Sequence, residues 1–205
     1  IKNNLANKII FSKNFNFTIN DNGFLYKDGY GSLQLPVPNL LGIHQISNTA
    51  SAVAAVRNLK KYKIKDEHII EGIKSIKNMR GRLQLIDTGP LKKIAPSNII
   101  LCDVAHNPNA AYEVNNYLNT LDKNRKIYMI CGMMKNKIHD EFISKFKKIN
   151  EILAIDIPNN KNCIKKEILQ KIIEKVGIKS STSNSIEDAV KYIANKDKNS
   201  IIFIV

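Results

Sequence analysis

From residue 83 onward the chain alternates short, nearly unbroken apolar runs with stretches of helical periodicity. This alternation constrains the fold more than any other feature of the sequence. The runs at 83–87, 99–103, 126–131, 151–157, 179–183 and 200–205 read as strands. Helices are expected near 109–121, 139–149, 165–176 and 186–196, each with apolar residues recurring every three or four positions. Strands that are apolar throughout, rather than at every second residue, are those buried on both faces. Strand and helix in strict turn place them in a mostly parallel, doubly wound α/β sheet. Ser185 is positioned to cap the last helix, and Gly177 to follow the end of the one before it.

The first 80 residues follow a different pattern. Asp21-Asn22-Gly23 separates two β-like runs, 15–19 and 24–27, and predicts a hairpin. An extended stretch at 32–35 stops at Pro36 and Pro38. Two helices follow. The first is expected over 49–60, capped by Ser47 or Asn48, with Ala50, Val53, Ala54 and the stem of Arg57 on one face. Asp66 is expected to cap the second, which carries Ile69, Ile70, Ile73 and Ile76 on one side. The periodicity breaks at Asn78-Met79-Arg80-Gly81-Arg82. The chain starts without Met and stops on an apolar run, so it is expected to be a piece of a longer protein, cut at both ends.

The net charge of +14 admits two explanations. Lys accounts for 28 of the 32 basic residues, and Ile (33) and Asn (26) are abundant alongside it, as AT-rich codons would produce. The rival is a nucleic-acid-binding surface. The lysines are scattered, without a long basic block or an arginine cluster among aromatics, and this favours drift. Cys102, Cys131 and Cys163 are odd in number and lack paired spacing, which fits a reducing cytoplasm. No apolar run approaches the roughly 18 residues of a membrane helix.

Four places can carry chemistry. Asp103 closes an apolar run and is followed by Val104-Ala105-His106-Asn107-Pro108, where Asn107 suits a helix N-cap and Pro108 the first helical position. In α/β sheets, ligands bind beyond the carboxyl ends of strands. A carboxylate, an imidazole and a helix N-terminus there can hold ribose hydroxyls and phosphate oxygens. The same residues could do no more than cap backbone groups. Arg80 and Arg82 are half of all the arginines in a lysine-rich chain, which points to the forked geometry that matches phosphate, or to a salt bridge between domains. In Gly42-x-His44-x-x-x-Asn48, Asn48 could read an adenine edge or only cap a helix. Gly132-Met133-Met134-Lys135-Asn136-Lys137 follows a strand and could approach a ligand or form a solvated turn. There is no G-x-x-x-x-G-K-[ST] phosphate loop, no G-x-G-x-x-G and no G-x-S-x-G.

Taken in order, four motifs resemble one family. They are Gly42-x-His44…Asn48, Gly81-Arg82-Leu83-Gln84, Asp103-Val104-Ala105-His106-Asn107-Pro108-x-Ala110-Ala111, and Ile130-Cys131-Gly132-Met133. The chain is similar to the second half of folylpolyglutamate synthase/dihydrofolate synthase, of the Mur ligase superfamily. The resemblance implies that residues 1–78 are the last part of a central ATPase domain, a hairpin plus two helices. It implies that 79–205 form a Rossmann-like C-terminal domain, a mostly parallel sheet with flanking helices. Matched by motif, Asn48, Arg82 and Asp103 fall on ATP-contacting positions: Asn48 near adenine, Arg82 on phosphate, Asp103 near ribose or phosphates. His44, His106, Asn107 and Lys137 are further candidate ligand contacts, with His106 the one candidate for a catalytic role. The implied reaction joins L-glutamate to dihydropteroate or folate with ATP and Mg2+, the metal ligands lying outside this segment. The implied partners are those small molecules, with neither nucleic acid nor membrane, in a cytoplasmic enzyme that is monomeric when whole. A peptidoglycan Mur ligase and a non-catalytic nucleotide- or nucleic-acid-binding module are the alternatives. Two positions depart from the family pattern: Asn136-Lys137-Ile138 stands where Asp-Lys-Asp is common, and Arg80 stands where Pro is usual.

Overall fold

A computed structural model describes residues 8–77 and 79–205, which divide after Lys77 into two compact units. The first unit opens with a three-stranded antiparallel meander: β1 (Phe15–Asn20), β2 (Gly23–Asp28) and β3 (Gly31–Leu35). Asn20 pairs with Gly23, so Asp21 and Asn22 form a two-residue loop where the hairpin is expected. Gly23 sits at φ +124°, and a Cβ there would lie 2.1 Å from the Leu35 carbonyl oxygen; only glycine fits this crossing.

Helix α1 (His44–Arg57) begins five residues earlier than the sequence suggests and ends three earlier. Ser47 and Asn48 therefore lie inside it rather than capping it, and Ile43 occupies the N-cap with no side-chain hydrogen bond. In α2 (Asp66–Ser75) the N-cap is Lys65, so Asp66 is the first helical residue. Phe15, Phe24, Tyr26, Leu35, Ile46, Ala50, Val53, Ile69 and Ile73 form the core of this unit. Arg57 contributes more than its stem. Its guanidinium meets Asp28 at 2.9 Å and Asp66 at 2.9 Å, and the Tyr26 hydroxyl donates to the same Asp28 at 3.1 Å. Burial, then the neighbouring Asp28 carboxylate, pushes the Tyr26 hydroxyl up from its ordinary value.

The second unit is a six-stranded sheet in the order β4-β5-β9-β6-β7-β8. Its members, in chain order, are β4 (Gln84–Leu85), α3 (Gly89–Ile94), β5 (Ile99–Cys102), α4 (Pro108–Leu118), β6 (Ile127–Cys131), α5 (His139–Ser144), β7 (Ile149–Ala154), α6 (Lys166–Lys175), β8 (Ser180–Thr182), α7 (Ile186–Lys196) and β9 (Ile201–Ile204). All pairings are parallel except β4 with β5. The expected parallel α/β sheet is the observed one.

Residues alternate between two cores along each central strand. Leu101, Met129, Ile152 and Phe203 face α4, α5 and α6. Ile100, Tyr128, Ile130, Leu153 and Ile202 face α3 and α7. Burial on both faces accounts for the unbroken apolar runs. The chain steps outward from β5 through α4, β6, α5, β7 and α6 to β8. It then returns beneath the sheet through α7 to place β9 between β5 and β6. Both edge strands are short, which limits the unpaired backbone they present.

The caps follow the sequence here. Asn107 Oδ1 accepts from the Ala110 N–H at 2.9 Å, with Pro108 at the first position of α4, and Ser185 Oγ accepts from the Asp188 N–H at 3.0 Å. Gly177 follows α6 at φ +90°. Helix α5 is shorter than its periodicity suggests. The chain leaves it at Lys145, Phe146 remains buried in the core, and the Lys147 N–H donates to Asn115 Oδ1 at 3.1 Å.

Asn98 closes the far end of the unit. Its fully buried amide donates to the Asp197 carbonyl (2.8 Å) and to Ser200 Oγ (2.9 Å), tying the entrance of β5 to the entrance of β9. Asn98→Ala is expected to lower stability by about 1–3 kcal/mol, because it removes the hydrogen bonds of a buried amide that join the two strand entrances. Urea unfolding of the variant against the parent checks this; a change below about 0.5 kcal/mol would contradict it.

Candidate functional site

Asp103 stands one residue beyond β5. Its N–H donates to the Ile204 carbonyl at 3.0 Å, continuing the parallel ladder to the rim. The carboxylate is 8% exposed, and Oδ2 accepts from the Leu83 N–H at 2.7 Å. The Val104 N–H donates to the Gly81 carbonyl at 3.0 Å. The exit of β5 thus grips the segment around Arg82 on both sides of that residue. The grip holds two unusual backbone conformations: Gly81 at φ +67° and Leu83 at φ +45°, the latter buried and non-glycine. A non-glycine residue held in that region costs on the order of 1–3 kcal/mol and persists only when its surroundings fix it. A Cβ at Gly81 would approach Val104 Cγ1 to 2.6 Å, so the close approach of the two loops requires glycine there.

Arg82 projects from this clamp. Its backbone is held, with its N–H donating to the Met79 carbonyl at 3.1 Å, while the side chain is exposed. Among the described residues nothing pairs with its guanidinium, nor does anything donate to Asp103 Oδ1. His106 is exposed two residues from Val104, with Nδ1 3.0 Å from the Val104 carbonyl. Asn107 is occupied in capping α4. The structure therefore gathers Arg82, Asp103, His106 and Asn107 at one end of one sheet.

Lys137 lies in the loop that leaves β6, half-buried, its N–H donating to the Met134 carbonyl at 3.3 Å. His139 Nε2, 2.9 Å from that same carbonyl, steadies the loop. β9 separates β5 from β6, so the two loops leave the same rim one strand apart. His44 and Asn48 belong to α1 of the first unit. There Gln45 Nε2 is 2.9 Å from His44 Nε2, and Gln45 Oε1 accepts from Asn48 Nδ2 at 3.1 Å. Asn48 is exposed, and its amide is partly used by its own helix.

The thiols near the rim are not set up as nucleophiles. Burial, then the neighbouring Asp103, pushes the Cys102 thiol up, and burial pushes Cys131 up to about 12. A thiol raised in this way carries little thiolate at neutral pH. Among the described residues no group of three or more His, Cys, Asp or Glu side chains is placed to hold a metal ion. An unpaired guanidinium on a fixed backbone does suit the oxygens of a phosphate. What the sequence could not supply is the clamp itself, which depends on β4 lying antiparallel beside β5; the adjacent Gly81 was its one visible signal.

A mostly parallel α/β domain with its polar side chains at the carboxyl ends of the strands is the Rossmann-like class of ligand-binding fold. Within that class the chain belongs to the Mur ligase family: residues 81–205 match the family described as Mur ligase, glutamate ligase domain. Among curated relatives, a UDP-N-acetylmuramate–L-alanine ligase from Clostridium acetobutylicum is 29% identical over 203 residues, covering 94% of this chain and 42% of that protein. A dihydrofolate synthase/folylpolyglutamate synthase from Escherichia coli is 29% identical over 124 residues, covering 60% of this chain and 26% of that protein. The fold is shared with E. coli FolC in complex with DHPP and ADP (TM-score 0.76, 22% identity, 95% of this chain and 43% of that one). It is shared also with the Yersinia pestis folylpolyglutamate synthase/dihydrofolate synthase complexed with AMPPNP and Mn ion (TM-score 0.73, 20% identity, 95% and 43%). The chain spans less than half the length of these relatives. No helix among the described residues is long and apolar enough to cross a membrane.

Proposed function

We propose that this chain is the part of an ATP-dependent ligase that closes over the nucleotide while L-glutamate is joined to dihydropteroate or a folate. The observation that carries the reading is the clamp: two hydrogen bonds from the exit of β5 fix the backbone on either side of Arg82 and leave its guanidinium unpaired. ATP, as its Mg2+ complex, would transfer its terminal phosphoryl group to the substrate carboxylate and leave as ADP; the amine of glutamate would then attack the carbonyl carbon of the acyl phosphate, lose a proton and displace inorganic phosphate.

The chain's own residues position and neutralise. Arg82 meets phosphate oxygens with a planar fork whose backbone needs no rearrangement, so its charge is already placed when negative charge develops. Asp103 has two tasks: Oδ2 holds the Arg82 turn, and Oδ1 is available to a ribose hydroxyl. His106, exposed at the same rim, is the candidate for substrate contact, and Lys137 offers a second cation from the next loop. Asn48 is assigned to adenine, and His44 is a further ligand contact. Closure of such a domain excludes the water that would hydrolyse an acyl phosphate. The partners are small molecules, in a cytoplasmic setting.

The muramate–alanine ligase relative, which aligns with nearly the whole chain, favours a second reading in which the acceptor is a UDP-linked peptidoglycan precursor. One assay separates the two. The protein that contains this chain is supplied with ATP and either radiolabelled glutamate with a pteroate acceptor, or labelled alanine with the UDP-linked acceptor. Label is expected in the pteroate product; label in the UDP-linked product alone would overturn the folate reading. The 205 residues alone, which have no Walker-type phosphate loop, are expected to show no ATP-dependent ligation in the same assay. Sustained turnover by them would contradict this.

A further inference from the structure

Lys137 shares the two properties that single out Arg82. Among the described residues its ammonium meets no carboxylate, and its backbone is held. Neither immediate neighbour, Asn136 or Ile138, can neutralise it. The two halves of its loop are held by different means, and the second half depends on one side chain.

The first half is bound through its backbone. The Gly132 N–H donates to the Val205 carbonyl at 3.0 Å, and a Cβ on Gly132 would lie 3.1 Å from Ile157 Cγ1, so the chain leaves β6 pressed against the loop that follows β7. The Ile164 N–H donates to the Met133 carbonyl at 2.9 Å, and the Lys135 N–H to the Asn162 carbonyl at 2.8 Å. Met134 and Cys163 face each other between these bonds in an antiparallel bridge. Everything up to Lys135 is thus laid along the segment that precedes α6.

Beyond Lys135 the chain turns away. The turn is closed by one backbone bond, from the Lys137 N–H to the Met134 carbonyl, and its 3.3 Å is longer than the usual range of about 2.7–3.2 Å. The same carbonyl has a closer partner. His139 Nε2 lies 2.9 Å from it, and since a carbonyl oxygen only accepts, Nε2 carries the proton of this bond. The imidazole is itself rooted. His139 is the first residue of α5, whose Phe142 N–H donates to the Ile138 carbonyl at 3.1 Å and whose Phe142 and Ile143 are fully buried. The ring therefore ties an anchored helix to an anchored loop base, across the turn that carries Lys137.

We propose that His139 is a positioning residue of the ligase site: its Nε2–H, on the Met134 carbonyl, sets the turn and so presents the Lys137 ammonium at the rim. The inference rests on the ligase reading for the use made of that cation. It makes Lys137 the counterpart of Arg82, one cation being set by His139 and the other by Asp103.

Two measurements test it. The first reads backbone amide order parameters from NMR relaxation of the 205-residue chain. At Asn136 and Lys137 they are expected near the rigid-backbone value of about 0.85 in the parent and to fall toward about 0.6 in His139→Leu. His139→Gln, whose amide Nε2 reaches the same carbonyl, is expected to restore them. Values in His139→Leu that match the parent's overturn the proposal, and so does an equal fall in both variants. The second measurement is ligation by the protein that contains this chain. Lys137→Met is expected to lower kcat/KM about 10^2-fold, and His139→Leu about tenfold through misplacement of the same ammonium. Because His139 acts through Lys137, the double variant is expected to match Lys137→Met within about twofold, where independent losses would multiply to about 10^3-fold. Losses that multiply overturn the proposal, and so does a Lys137→Met variant with parental kinetics. No ligation by the parent fails the ligase reading, while the order parameters still decide whether the imidazole sets the turn.

Discussion

Lys196→Met is expected to destabilise the second unit by about 1–3 kcal/mol. The reason is the group left behind. Glu151, in β7, is 2% exposed. Its Oε2 accepts from Lys196 Nζ at the end of α7, and its Oε1 accepts from Ser181 Oγ of β8 at 3.2 Å. Lys196 is itself anchored, donating to the Tyr192 hydroxyl at 3.0 Å and lying 5.7 Å from the centroid of the Tyr128 ring. Removing the ammonium leaves a carboxylate in the core whose next cation, Lys179, is 4.0 Å away and mostly in solvent. Replacing both partners, Glu151→Met with Lys196→Met, is expected to recover most of the loss, because the cost lies in the buried Glu151 carboxylate left without its ammonium, and the double variant removes that carboxylate too. Urea midpoints of the two single variants and the double give the coupling. A Lys196→Met cost under about 1 kcal/mol would show that Glu151 is solvated after all.

The pH dependence of that pair has a definite sign. The hydrogen bond to Glu151, then that to Tyr192, pushes the Lys196 ammonium up from its ordinary value. A raised value in the folded state stabilises below the unfolded lysine value of about 10.4 and loses that contribution as pH climbs through the higher folded one. The gap between parent and Lys196→Met should therefore stay constant from pH 7 to 9 and shrink only in strong alkali.

How much of this was legible in the sequence depends on distance along the chain. The central strands were visible because a parallel sheet covered on both faces demands runs such as Ile127–Cys131 and Ile201–Ile204, whose burial leaves no polar position. Local chemistry was visible too: Asn107 with Pro108 caps α4 because cap and first turn are adjacent residues. Helix α1 starts earlier than its cap residues suggest: Ser47 and Asn48 are good caps that the chain does not use, and the earlier start brings Gln45 and Ile46 into the buried face. β4 and α3 hold two and six residues, too few for any period to register. The long-range pairs were invisible. Arg57 finds Asp28 29 residues away once α1 packs on β2, and Lys196 finds Glu151 45 residues away once α7 packs on the sheet. At the candidate site, Arg82 and Asp103 each stood out by residue type and place. That the second holds the turn bearing the first follows only once β4 is seen antiparallel to β5.

This relation makes the functional substitutions unequal in an informative way. In the protein that contains this chain, Arg82→Ala is expected to lower kcat for ligation by about 10^2–10^3, the usual effect of removing one preorganised charge from a developing anion. Arg82→Lys should restore only part of the rate, since an ammonium replaces a fork with a point. Asp103→Ala removes the acceptor of the Leu83 N–H, buried at 2.7 Å, and frees the strained turn at Gly81 and Leu83. It is expected to cost about 1–3 kcal/mol of stability and to depress kcat nearly as far as Arg82→Ala, although it leaves the guanidinium in place. Asp103→Asn separates the two tasks of that carboxylate. The amide oxygen can still accept from Leu83, so stability should hold within about 0.5 kcal/mol. A remaining loss in that variant, expressed as a higher KM for ATP, then belongs to the oxygen offered to the nucleotide. If Asp103→Ala leaves kcat at the parental value, the clamp does not present Arg82, and the proposed use of this rim fails.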